Sequence, residues 1–144
     1  MDLGLVMTIA AMLGIAVVQR PIHEPDFSKC ATPRDVCAVA RRCDLGGCRE
    51  IAQVVAEESA RLGYKACVIG FFEAGKSDAG HAVALGRYDD GRYWYADNGR
   101  YWDAATFADV KGRVATDLNC DPDDLWWAVL WKDGDAWNPT NPNP

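Results

Sequence analysis

Residues 80–97 read GHAVALGR, YDDGR, YWYAD, with Arg92 closing the central segment and Asp97 ending the last. Gly80–Arg87 and Arg92–Asp97 have the apolar and aromatic composition of strands, and the acidic, glycine-bearing centre is a turn. A three-residue loop with glycine in last place is a favoured hairpin connection, and Asp89-Asp90-Gly91 fits it. With that loop, Val83 faces Asp97, and His81 lies diagonal to Asp97 on the same face of the sheet. A two-residue loop would slip the register by one and send His81 and Asp97 to opposite faces. This hairpin therefore decides the centre of the sheet and whether an imidazole meets a carboxylate.

Upstream, Tyr64–Phe72 (YKACVIGFF) predicts a strand and residues 73–79 a polar loop. Before them lies a helix from Cys48 to Leu62. Cys48, Ile51, Ala52, Val55, Ser59 and Leu62 share one face of it, while Arg49, Glu50, Gln53, Glu57 and Arg61 fall elsewhere. Gly63 suits the left-handed position that ends a helix. Thr32-Pro33-Arg34-Asp35 starts an earlier helix with a cap, a proline in the first turn and an acid at the third position. That helix should run to about Arg42 and bury Val36, Cys37, Val39 and Ala40, before Leu45-Gly46-Gly47 breaks it. Downstream, Tyr101-Trp102 suggests a short strand and Ala104–Leu118 a helix. Leu125–Trp131 (LWWAVLW) is apolar at every position and predicts a strand buried on both faces. The order helix, helix, strands, helix, strand predicts an α+β fold with helices packed on a mostly antiparallel sheet.

The chain has 144 residues, enough for one domain. Its 49% hydrophobic and 25% charged residues exclude wholesale disorder. The net charge is −6, and residues 87–144 carry 11 acidic against 6 basic side chains. With no basic stripe, a nucleic-acid groove is not expected. Leu3–Val18 is sixteen residues without a charge. As a helix it would span ~24 Å, short of a ~30 Å hydrocarbon core. It reads as an anchor, a signal or an interface helix, with a membrane or an oligomeric neighbour as the partner it would need. Asp2 argues against a signal peptide, which carries a positive first region. Residues 20–31 form a connector with two prolines, and His23 in it is assigned nothing. The catalytic-size domain is then 32–137, followed by a Pro/Asn-rich tail at 138–144 that should be extended or disordered.

The six cysteines contain no C-x-x-C pair, so neither a metal site nor a cofactor is expected. Cys48 stands apart. It follows Gly46 and Gly47 and opens a helix, where free backbone N–H groups and the helix dipole favour thiolate over thiol. The same N–H groups suit the oxyanion of a tetrahedral intermediate. Gly46 and Gly47 leave room for a substrate backbone. His81 and Asp97 supply a base and the carboxylate that orients it. Setting Cys48 aside leaves an odd number of cysteines, so no complete disulfide framework is implied. The six tryptophans read as core and edge packing, with Trp94 assigned to the cleft beside the site.

Gly46-Gly47-Cys48 opening a helix, Gly63-Tyr64-Lys65-Ala66-Cys67-Val68-Ile69-Gly70, Gly80-His81-Ala82-Val83 and Tyr93-Trp94-Tyr95-Ala96-Asp97 together resemble the transglutaminase-like branch of the papain-like cysteine peptidases. The resemblance spans about residues 44–102. It implies a papain-like fold with Cys48 as nucleophile, His81 as base and Asp97 as its orienter. Arg42 stands where papain-type peptidases carry a glutamine, and Arg49 follows the cysteine where they carry an aromatic residue soon after. Both departures point to the transglutaminase-like variant. The expected function is a thiol-dependent acyl transfer on peptide, isopeptide or peptidoglycan amide bonds at a membrane or cell envelope. The alternative is a catalytically weak or inactive module of the same fold that serves structure or binding.

Overall fold

Thr32 caps the first helix by accepting from the Asp35 amide, and the Asp35 carboxylate returns the bond to the Thr32 amide. This reciprocal box satisfies two of the helix-start donors and sets α1 at Pro33–Ala40. The second helix, α2, is Cys48–Arg61, and Gly63 follows it with φ of +93°. Strands β1 (Lys65–Glu73), β2 (Gly80–Arg87), β3 (Tyr93–Asp97) and β4 (Arg100–Ala104) precede α3 (Phe107–Asp117). A 3-10 turn at Pro122–Asp124 leads into β5 (Leu125–Lys132). These elements come from a computed structural model that describes residues 24–76, 80–134 and 137–139. Helix α3 starts later than the sequence suggests because β4 runs to Ala104 and Thr106 provides the cap.

The five strands form one antiparallel sheet in the order β4-β3-β2-β1-β5, with helices on both faces, an α+β architecture. Strand alternation splits the interior in two. Ala66, Val68, Ala82, Ala84, Trp94 and Ala96 join Val36, Ala40, Ala52, Val55 and Ala56 of α1 and α2. Cys67, Ile69, Phe71, Val83, Leu85 and Tyr95 join Val110, Val114 and Ala115 of α3. Alanines on the first face let α2 lie close against the sheet. Gly86 goes further: a Cβ there would sit 2.1 Å from the Trp94 indole, so the bare glycine makes the space that the indole fills. Val39 is only half-buried and Leu62 is exposed, so both helices bury a narrower stripe than their periodicity suggests.

The hairpin forms as its loop chemistry requires. Arg87 pairs with Tyr93, the Tyr88 amide donates to the Arg92 carbonyl, and Gly91 takes a φ of +91°.

Three expectations change. Strand β5 is not buried on both faces. It is an edge strand paired only with β1, and it leaves Trp126 53% exposed, with Trp127, Val129 and Leu130 also exposed. A continuous apolar run is shared by central and edge strands, and in this one only Leu125 is fully buried, with Trp131 half-buried against the α1–α2 core. The domain also runs past residue 137. Trp137 and Pro139 are buried, and the Tyr93 hydroxyl donates to the Pro139 carbonyl at 2.8 Å. At the other end the connector contributes Phe27 and Cys30 to the core under α1 and α2. Leu3–Val18 and His23 lie outside the described residues; among those described, no helix is long and apolar enough to cross a membrane.

Candidate active site

Ala84 of β2 pairs with Ala96 of β3, and continuing that register brings Val83 opposite Asp97. His81 and Asp97 then share the α3 face at the open end of the two strands. His81 Nε2 lies 2.6 Å from Asp97 Oδ1, with both side chains largely shielded from solvent. Helix α2 packs on the other face, and its first residue, Cys48, comes to the same end of the sheet. Cys48 is among the neighbours that raise the His81 pKa, which puts its thiol close to the ring. Asp97 occupies Nε2, which leaves Nδ1 outside that bond.

The approach to Cys48 depends on the glycines before it. Gly46 has φ of +105°, a conformation that L side chains rarely adopt, and Gly47 is the N-cap of α2. Gly47 has no side chain to cap the helix, so the first-turn N–H groups keep no side-chain partner from that position. Both glycines are exposed beside Cys48. Glu50 folds back over them: a Cβ on Gly47 would lie 3.2 Å from Glu50 Oε2.

The electrostatics follow from these contacts. The hydrogen bond to Asp97 raises the His81 pKa above its usual 6.5; burial opposes this, and the charges of Asp97 and Cys48 add to it. Burial pulls the Asp97 carboxyl upward, but His81, a hydrogen bond with Asp117 and the charge of Arg100 outweigh it and hold Asp97 below its usual value. Asp117, the last residue of α3, is raised by burial and by its neighbour Asp97. Of the two, Asp97 is the more acidic, and it faces the imidazole. Burial pushes the Cys37 thiol up to about 12 and raises Cys67 as well.

Beside Asp97 opens a cleft of about 530 Å³, walled by Arg41, Asn98, Arg100, Trp102 and Arg113 together with Asp97 and Asp117. Trp94 is not part of it. It is 0% exposed, held between Gly86 and the α1–α2 core, so it cannot touch a substrate and its assignment to the cleft is corrected. Period-2 alternation already puts Trp94 on the opposite face from Asp97, three residues away, and that signal outweighs its proximity in sequence. Asp117 and the three arginines carry no local sequence signal, because they come from α1, β4 and α3 and meet only through packing. Among the described residues, no group of three His, Cys, Asp or Glu side chains is set to hold a metal. No protein-family model, curated protein or solved structure matches the chain.

Proposed function

We propose that this protein is a thiol-dependent acyl-transfer enzyme of the transglutaminase-like, papain-like kind, acting on peptide, isopeptide or peptidoglycan amide bonds. The observation that carries the reading is the 2.6 Å His81–Asp97 contact at the sheet end where α2 opens with Cys48. Read this way, Cys48, His81 and Asp97 supply nucleophile, base and orienter from a helix and two strands.

In this reading Cys48 gives its thiol proton to His81, and its Sγ attacks the amide carbonyl carbon. A C–S bond forms as the carbonyl electron pair moves to oxygen, and the amides at the start of α2 receive that oxyanion. The intermediate collapses, the C–N bond breaks, and His81 gives the leaving amine its proton. Water or a second amine, deprotonated by His81, then attacks the thioester and returns the thiol. Asp97 keeps the ring oriented and stabilises the imidazolium without taking the proton.

Hydroxylamine tests this directly, because it intercepts a thioester as a hydroxamate. Peptide pools and purified peptidoglycan incubated with the protein and hydroxylamine should yield hydroxamates that disappear with Cys48→Ala. Equal hydroxamate from Cys48→Ala, or none from the unaltered protein on any of these substrates, contradicts the proposal.

A further inference from the structure

The cleft beside Asp97 gathers positive charge in a chain of net charge −6. Arg41 follows the last turn of α1, Arg100 opens β4 and Arg113 lies on α3, so three separate elements converge on one wall. Among the described residues, none of the three is within 4.0 Å of a carboxylate. Two of them are steadied by contacts other than ion pairs. The Arg113 guanidinium lies 4.3 Å from the Trp102 ring centre, which occupies its face and leaves its N–H edge for a planar acceptor. The Arg41 stem crosses the turn where Gly99, with φ of +79°, carries no side chain; a Cβ there would stand 2.8 Å from Arg41 Cγ. The two acids in the wall offset part of this charge: Asp97 lies 2.6 Å from His81 and feels Arg100, and Asp117 feels Arg113.

The position of the cleft gives this charge a use. The cleft opens beside Asp97, the residue that holds the His81 ring, so a substrate extending past the ring can reach it. Its volume of about 530 Å³ falls within the ~300–1,000 Å³ usual for small-molecule sites. A carboxylate matches the guanidinium fork and carries one charge. A phosphate dianion would meet Asp97 and Asp117 with more repulsion.

We propose that Arg41, Arg100 and Arg113 form a carboxylate-recognition subsite beside Asp97, so that the preferred substrates carry a free carboxylate. The inference rests on the acyl-transfer reading for its claim about substrates, and binding tests it without turnover. The full-length Cys48→Ala protein is titrated calorimetrically with N-acetyl-alanyl-alanine, with the C-terminal amide of the same dipeptide, and with inorganic phosphate. The acid should bind about tenfold more tightly than the amide, a difference that shrinks with added salt. Arg113→Gln and Arg41→Gln, both changes at exposed side chains, should each erode the preference, and Arg113→Lys should restore only part of it because an ammonium has no fork. Undetectable binding of the acid, equal affinities for acid and amide, a preference indifferent to both glutamine substitutions, or tighter binding of phosphate than of the acid overturns the proposal. Hydroxamate formation reports separately on the acyl-transfer chemistry, so failure of the subsite and failure of the enzyme reading are distinguishable.

Discussion

Asp97→Asn removes a charge from beside His81 while keeping the size and shape of the side chain. In the folded protein the His81 and Asp97 side chains are 14% and 15% exposed and 2.6 Å apart. A hydrogen bond to a charged partner contributes about 1.5–3 kcal/mol, and residual solvent access places this pair near the lower figure. The pH window follows from the two shifts. His81 titrates above its usual 6.5, so its share of the stability is complete below that value and is lost as pH rises through the folded His81 pKa. Asp97 titrates below its usual 3.8, so its share is present above that value and is lost as pH falls through the folded Asp97 pKa. Urea unfolding at about pH 5.5 lies between these limits, and there Asp97→Asn should cost about 1.5 kcal/mol. Once the pH has risen above the folded His81 pKa and the ring is neutral, the cost should shrink to a fraction of that. The chain has only two histidines, so the His81 ring signal can be followed by NMR, and its titration midpoint should fall in the variant because burial then acts unopposed by the carboxylate. A cost that does not change with pH, or an unmoved His81 midpoint, would refute the reasoning.

Gly86→Ala drives a methyl to 2.1 Å from the Trp94 ring in the closed α1–α2 core and should destabilise the fold by about 1–3 kcal/mol in the same urea assay, with altered tryptophan fluorescence. An unchanged midpoint would mean that Trp94 is free to move. Thr32→Ala breaks the capping box of α1 and should cost about 1 kcal/mol, whereas Thr32→Asn should cost little. A chain beginning at residue 20 keeps Phe27, Cys30 and both cores, so it should stay soluble and folded by circular dichroism; full-length protein should co-sediment with phospholipid vesicles and the shortened chain should not. Aggregation of the shortened chain would place Leu3–Val18 against the domain instead.

The parts of the fold legible in the sequence are those fixed locally. The Asp89-Asp90-Gly91 loop sets its own register, and register alone carries His81 to Asp97 across sixteen residues of sequence. Caps did the same for α1, where Thr32 and Asp35 satisfy each other within one turn. The misreadings are non-local. Whether LWWAVLW is central or at an edge depends on how many strands lie beyond it, which its composition does not encode. Trp94 is the exception, since alternation along β3 already sets it opposite Asp97; only the space that Gly86 makes for its indole needs the paired hairpin. Asp117 and the cleft arginines depend on where α3 docks over β3 and β4, a matter of tertiary packing without a sequence signature.

The central claim is that His81 activates Cys48, and the rate of Cys48 alkylation reads it without knowledge of a substrate. Full-length protein and His81→Ala are treated with limiting iodoacetamide at neutral pH, and each cysteine is quantified by peptide mass spectrometry. Cys48 should be alkylated fastest, ahead of the buried Cys37 and Cys67, and should slow severalfold in His81→Ala while the half-buried Cys43 keeps its rate. A Cys48 rate indifferent to His81→Ala, or faster labelling of Cys37 or Cys67, would contradict the account and leave a non-catalytic module of the same fold.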